Sequence, residues 1–469
     1  MNNTRKNLIF AVSLVATGFF WFGSAWFSYL EVLKARFDAD TIFLLTSGLS
    51  YGAQILGILV YIFIVTRNKR FTESRLVISL CFGLSAIGIL GAFFTSNNAV
   101  FILSGVLFNL FGTSGVMLGY QFHCVTSMLP RMFFGRAFGF AYAVGSLATA
   151  LLAVAFNGRC PVGYAAVIIY ILFIILNFLL IIFKGKLTNE IPETAMAKCA
   201  KNNAPESEMH LDKNLILMFA GVILLMVILQ SISGIMQGLY LDVSNQISMA
   251  FARMFYAFGL IPASLLIDYN RRMGAIACLL ACGFSFFLIL LYSFPVYGFI
   301  AMGLDYVLIG FFAVYRTVSA MDIASRAPKL LYFSVMGILL GRLGEVAFTI
   351  FRSLVQLELL LETLAASIFF LILILILFPF MRRMYDPVLL ASDSPVTVQM
   401  RDDLLASFGI TRREAETLSL LLSGKTTLEI SEAMSITDRT VQKYIGSMMA
   451  KTNSKSRSAM IAMFARHSN

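Results

Sequence analysis

Long apolar runs separated by short polar breaks occupy most of the 469-residue chain. An α-helix rises 1.5 Å per residue, so about 20 apolar residues cross the roughly 30 Å hydrocarbon layer of a bilayer. Runs of that length fall at 8–30, 41–66, 75–95, 99–120, 133–156, 161–183, 214–240, 248–267, 274–294, 296–315, 331–352 and 357–381. The pattern predicts twelve membrane-spanning helices. The first run follows Arg5 and Lys6 but continues past a signal-peptide core without an evident cleavage site, and it reads as a retained helix. After Phe380, Arg382 and Arg383 anchor the last span, and Pro387 and Pro395 mark a polar tether over 384–402. So short a tether reaches only a few tens of Å, which keeps the C-terminal segment near the membrane.

Composition sharpens this division. Only 13% of residues are charged and 59% are hydrophobic, against about 25% and 45–50% in soluble chains. That excludes an ordinary soluble enzyme. The charges are also unevenly spread: residues 401–469 hold 10 Lys/Arg and 7 Asp/Glu of the totals of 36 and 25, leaving 26 and 18 for residues 1–400. The fractions are about 25% and about 11%, an ordinary soluble domain behind a membrane domain. The six cysteines form no CxxC pattern, and with three histidines no metal site is expected; no cofactor is expected either.

Loop charges give an orientation. With a cytoplasmic N-terminus, the inside loops collect twenty Lys/Arg, including Arg67, Arg131, Arg136, Arg271, Arg272 and Arg316; the outside has Lys34, Arg36, Arg159 and Arg352. That bias predicts a multi-pass protein of the cytoplasmic (inner) membrane with both termini inside. The polar loop 184–213 splits the membrane domain, 1–383, into halves 1–183 and 214–383 of six spans each. This layout resembles the major facilitator superfamily. The loop after the eighth span, Ser264 to Arg272, looks like a worn copy of that family's Asp-x-x-Arg-Arg signature, with Asp268, Arg271 and Arg272. The corresponding loop after the second span, Thr66 to Arg70, keeps the basic residues and lacks the Asp. The resemblance implies two helical bundles rocking about a midplane site, and the missing Asp sets a full transport cycle in question.

A charge within a span costs several kcal/mol unless it meets a partner or water. Arg253 and Asp305 lie in the eighth and tenth spans, and Arg342 and Glu345, three residues apart, share a face of the eleventh. With Trp21 and Gln54 from the first half they are the candidate ligand-binding residues. Trp26, Asn109 and Gln121 accompany them. Arg342 and Glu345 admit three readings: an internal helix lock, a ligand cavity for a carboxylate or amine, or a proton-coupling pair.

From 403 to 469 the periodicity is that of short amphipathic helices. Thr411-Arg412-Arg413-Glu414 is a capping box opening a helix with Ala415, Leu418, Leu421 and Leu422 inward and Gly424 at its end. Thr426-Thr427-Leu428-Glu429 starts a second helix burying Ile430, Ala433 and Met434. Thr437 caps a third burying Val441, Ile445 and Met448, and a fourth covers roughly 456–466. The middle pair forms a helix-turn-helix whose second member presents Arg439, Gln442, Lys443 and Ser447.

Thr411, Arg413-Glu414, Glu416, Leu418, Gly424, Thr426, Glu429-Ile430, Ile436, Thr440-Val441, Lys451 and Arg457 agree in order and spacing with the LuxR (GerE)-type DNA-binding domain, which this region closely resembles. The resemblance implies that Thr426, Thr437, Arg439 and Thr440 hold phosphates while Gln442 and Lys443 face base edges. Ser447 and Lys451 join them as candidate DNA-binding residues, and the last helix pairs with its copy on a two-fold symmetric site. Tyr444 stands where His is frequent, Leu428 where Lys is common, and Thr452-Asn453 where Leu-Gly is usual.

The fold class expected is all-α: a six-plus-six membrane bundle and a four-helix helix-turn-helix domain. No nucleophile–base constellation, phosphate-cradling glycine loop or receiver-type acidic pocket appears, so no enzyme is read. The expected function is a membrane-tethered transcriptional regulator whose transporter-like domain senses a small molecule, with double-stranded DNA, membrane lipid, that ligand and a second copy on DNA as partners. The alternatives are a secondary transporter with a regulatory DNA-binding tail, or a scaffold that only localises the regulator.

Overall fold

The computed structural model describes residues 2–67, 75–188, 213–231, 248–292, 297–326, 328–354, 359–385 and, within 408–464, all but 423–426, 435, 455, 458–459 and 462. The chain packs as two compact units, Met1–Phe380 and Met381–Asn469, and regular structure among the described residues is entirely helical. In the first unit, α1 is Asn2–Lys34, α2 Ala39–Arg67, α3 Arg75–Phe94, α4 Asn98–Met128, α5 Arg131–Ala155 and α6 Gly163–Thr188. Then come α7 Lys213–Gln230, α8 Met249–Tyr269, α9 Arg271–Tyr292, α10 Gly298–Ala324, α11 Met336–Leu354 and α12 Leu359–Tyr385. Among the described residues eleven helical segments are long and apolar enough to cross a membrane, and the 22-residue α9 fills the remaining predicted position.

The bundle is dressed for lipid. Leu76, Leu80 and Ile87 on α3, and Ile368, Leu371 and Leu375 on α12, are exposed at helical spacing, whereas Gln54, Asn109 and Gln121 are buried. Water would make such a surface aggregate; hydrocarbon does not. Inside, some polar side chains pair with one another: Gln54 donates to Asn109 at 2.8 Å, and Asn109 to the Gly105 carbonyl at 2.9 Å. The halves meet where α5 lies against α8 and α2 against α11.

Three helices depart from the regular spans expected. A π-turn, Leu44–Ser50, interrupts α2 just before Tyr51, a distortion frequent at functional positions. Next, α4 runs on to Met128 but is broken at Gly112–Gly115, between segments Asn98–Phe111 and Val116–Met128, where Thr113 donates to the Gly18 carbonyl of α1 at 2.9 Å. Finally, α10 does not end at 315 but continues to Ala324, which carries Arg316 into the bundle interior. The assignment of Arg316 to a loop is thereby corrected.

The second unit contains α13 (Arg412–Leu422), α14 (Thr427–Met434) and α15 (Asp438–Lys451), followed by helical backbone at described positions between 457 and 464. Leu418, Leu421, Ile430, Val441, Ile445, Met448, Met460 and Phe464 form its core, edged by Ala415 and Leu422. The fourth helix thus buries Met460 and Phe464. Asn453, just beyond α15, has φ +52°, a left-handed conformation that glycine adopts without strain. Asn453→Ala is expected to destabilise this unit by about 1 kcal/mol, read as a shift in urea midpoint with unchanged slope.

Candidate functional site

A cavity of about 130 Å³ lies between the two halves. Its first-half wall is aromatic: Phe22, Trp26 and Phe27 of α1, Tyr51 of α2 and Tyr142 of α5. Its second-half wall carries the charges: Arg253 on α8, Asp305 and Arg316 on α10, and Arg342 and Glu345 on α11. The expected i,i+3 pair exists, Arg342 Nη1 donating to Glu345 Oε2 at 2.5 Å. A third member joins it from α10: Arg316 Nη1 stands 4.0 Å from the other oxygen of the same carboxylate. Room for it comes from α11, because a methyl group at Gly341 would lie 2.4 Å from Arg316 Nη1, and one at Gly337 2.2 Å from the Arg316 carbonyl oxygen. The guanidinium of Arg342 also rests on the Tyr51 ring at 4.4 Å, directly after the π-turn.

Arg253 is held differently. Its Nη2 donates to the Tyr142 hydroxyl at 3.2 Å and its Nε to the Ser146 hydroxyl at 3.4 Å, with the Phe27, Tyr142 and Tyr256 rings within 6 Å. Cation–π contacts of this kind compensate part of the lost hydration. Asp305 is 4% exposed, and among the described residues its Oδ1 has no hydrogen-bond partner.

Arg253, Asp305, Arg342 and Glu345 therefore converge as the sequence suggested. Trp21 does not: it is buried between Phe82, Phe108 and Tyr170 inside the first half. One residue turns a helix by about 100°, so Phe22 and Trp26 face the cavity and Trp21 faces away. Gln54 is committed to Asn109 and borders a smaller neighbouring void with Arg316 and Arg342. The run Val318-Ser319-Ala320-Met321, free of Gly and Pro, is the one trace in the sequence that the helix continues past Arg316.

A second polar cluster ties the halves together at one end. Asp268, at the end of α8, accepts from the Gly135 and Arg136 backbone N–H groups at 2.8 and 2.9 Å, from Arg136 Nε at 3.1 Å and from Arg271 Nη1 at 3.1 Å. Asp322, near the end of α10, accepts from Arg131 Nε at 3.1 Å and Arg271 Nε at 2.9 Å. Both carboxylates are fully buried. The first turns of α5 present free N–H groups and the positive end of a helix dipole, so a carboxylate is the natural partner there. Gly135 allows the approach: a Cβ would sit 2.6 Å from Asp268 Oδ1. The loop signature around Asp268 is thus an inter-half clamp.

In the second unit the first capping box forms as expected, the Thr411 N–H donating to Glu414 Oε2 at 2.7 Å and the Glu414 N–H to Thr411 Oγ1 at 3.4 Å. Thr437 caps α15, accepting from the Thr440 N–H at 3.3 Å. Thr437, Arg439, Gln442 and Lys443 are exposed and Thr440 is half-buried, grouped on the first two turns of α15. Thr426 lies outside the described residues. Ser447 and Lys451 each donate to Glu414, at 2.6 Å to Oε1 and 2.6 Å to Oε2, and so join α15 to α13. Burial pushes the Glu414 carboxyl up, but the bonds from Lys451, Ser447 and Thr411 outweigh it and hold the group down at about 2.

Comparison with known proteins agrees with both units. The family described as bacterial regulatory proteins, luxR family, matches residues 409–464. No curated protein matches the chain. Among solved structures, the fucose:proton symporter of E. coli aligns over 81% of this chain and 100% of its own, at 14% identity and a TM-score of 0.51. The xylose transporter of E. coli in a partially occluded inward-open conformation aligns over 81% and 98%, at 16% identity and 0.51. A bacterial homologue of the iron transporter ferroportin in an outward-facing state aligns over 80% and 100%, at 12% identity and 0.50. The membrane unit has the fold of these transporters, and 409–464 is a LuxR-type helix-turn-helix domain.

Proposed function

We propose that this LuxR-type domain, carried behind a multi-pass bundle of transporter fold, makes the chain a membrane-tethered transcriptional regulator whose membrane unit senses a small molecule. The observation that carries the reading is that one polypeptide joins a recognition helix with an exposed polar face to a cavity lined by buried charges. The membrane domain is 1–383, 384–402 the linker and 403–469 the DNA-binding domain; the host is the cytoplasmic membrane, with both termini in the cytoplasm. Ligand in the cavity stabilises one arrangement of the halves, and that population shift reaches the DNA-binding domain through α12 and the linker. Two copies then pair on a two-fold symmetric DNA site, since the second contact is effectively intramolecular.

On DNA, the start of α15 addresses the major groove. Thr437, Arg439 and Thr440, with Thr426, hold phosphates, and Gln442 and Lys443 read base edges. Ser447 and Lys451 are assigned instead to orienting α15 through Glu414. The Gln442→Ala, Lys443→Ala double variant is expected to lose about 1–3 kcal/mol of discrimination per contact, measured as competition between operator and scrambled duplex at one fixed salt concentration. Unchanged discrimination would reverse the orientation assigned to α15.

The test of the whole reading is promoter binding by the full-length chain in lipid nanodiscs, beside solute uptake into proteoliposomes. Ligand-dependent binding without uptake supports the regulator. Accumulation against a gradient that requires Arg342 or Glu345 would instead make it a transporter with a regulatory tail, a reading favoured by the intact clamp around Asp268.

A further inference from the structure

The cavity between the halves is unbalanced in charge. Three guanidiniums, Arg253, Arg316 and Arg342, line it with two carboxylates, Asp305 and Glu345, an excess of one positive charge even when both acids are ionised. Local pairing makes the excess sharper. Glu345 is committed to Arg342 at 2.5 Å, whereas Arg316 meets the distant side of the same carboxylate, at 4.0 Å, and the Phe312 ring, at 4.8 Å, and among the described residues its buried Nε has no hydrogen-bond partner. Arg253 is held by two hydroxyls and three ring faces, and no carboxylate lies within salt-bridge distance of it among the described residues. Arg253 and Arg316 are 9% and 8% exposed. A buried cation whose counter-charge is absent, as for Arg253, or shared with a second cation, as for Arg316, is unfavourable, and an anion entering the cavity reduces that penalty for both. The other requirement on a ligand comes from the opposite wall, where Phe22 and Trp26 offer flat apolar surface and no charge.

We infer that the cavity binds a small organic anion, a monocarboxylate with an apolar or aromatic body, its carboxylate facing Arg316 and Arg253 and its body facing the aromatic wall. This rests on reading the membrane unit as ligand-binding, and names the class of ligand. Gly341 is part of the site, since its missing side chain is what lets Arg316 sit beside Glu345. The Arg342–Glu345 pair orients the site and is not the anion's partner.

The test uses the full-length chain in nanodiscs and Trp26, one of only two tryptophans and the one lining the cavity. Benzoate, phenylacetate and hexanoate are titrated beside the matched amides and the amines benzylamine and hexylamine, with intrinsic fluorescence and thermal unfolding as readouts. At least one carboxylate is expected to quench Trp26 and raise the unfolding temperature, binding about 10- to 100-fold more tightly than its amide, the range of a charge-assisted contact. Arg316→Gln should erase that preference, and Arg316→Lys should retain part of it. Should Arg316→Gln fail to fold, the carboxylate-to-amide ratio on the unaltered protein decides by itself. Equal binding of acid and amide, preference for the amines, or binding of none of the panel would overturn the inference. Carboxylate binding that leaves promoter binding unchanged would keep the ligand class and overturn the regulator reading.

Discussion

Glu414→Ala is expected to lower the stability of the 403–469 domain by about 1–2 kcal/mol at pH 7 and to weaken its acid-dependent unfolding. Glu414 closes the capping box of α13 and receives Ser447 and Lys451 of α15, so one side chain both starts a helix and sets the angle of the recognition helix. Its carboxyl lies at about 2 in the folded domain against an ordinary 4.5. Because the folded value is the lower one, the stabilisation is complete above about pH 4.5 and is lost as pH falls through about 2. Solvent screening of a pair whose lysine is 30% exposed reduces what that gap is worth to about 1–2 kcal/mol, a sizeable share of the roughly 3–10 kcal/mol expected for a domain of this size. Urea unfolding of the fragment followed by circular dichroism from pH 7 to pH 2 measures both effects. An unaltered acid limb in Glu414→Gln would show that another group carries it.

Asp268→Ala should release the clamp between the halves. The buried carboxylate satisfies two backbone N–H groups at the start of α5 and two guanidiniums, from Arg136 and Arg271. Its removal leaves those donors facing each other in the closed arrangement, whereas opening returns them to water. Breaking such a pair typically costs about 3 kcal/mol or more, enough to change the open-to-closed ratio roughly 100-fold. Spin labels at Met132 and Met273, both exposed on opposite sides of the clamp, should report a new, longer distance in the variant. Tyr269→Ala, an exposed neighbour, should leave the distance alone. If Asp268→Ala gave the unaltered distance distribution, the clamp would not be what holds this end.

Legibility from sequence depends on the solvent each part meets. In the water-facing domain one side of each helix must be apolar, so the pattern has a phase, and Leu418, Val441, Ile445 and Met448 lie inward as that phase predicts. The Thr411–Glu414 box is legible because its partners are three residues apart. In the membrane unit both the core face and the lipid face are apolar, so the number and position of spans are legible while their rotation is not. Trp21 and Trp26 are equally good aromatics in sequence, and only the packing of α1 sends one into the cavity and the other into the first half. Arg316 escapes a sequence reading for a related reason: the positive-inside rule treats an arginine near a predicted span end as loop charge, and Glu345, which accounts for it, lies 29 residues away in sequence and across a helix interface.

The engagement of Lys451 with Glu414 reaches into the ionic-strength behaviour of the protein. A lysine bound to a carboxylate of its own domain is less available to displace counterions from DNA, so the pair leaves the +3 balance of 401–469 unchanged but takes one of its 10 Lys/Arg out of the count of phosphate partners. Each phosphate neutralised steepens the fall of log affinity with log salt by about 0.9. The salt slope of a single copy should therefore be about 0.9 shallower than if Lys451 met a phosphate. Under the proposed regulator function, occupancy of a promoter would then depend on how many copies the membrane brings together, and lateral encounter between tethered chains would be the quantity that a ligand regulates.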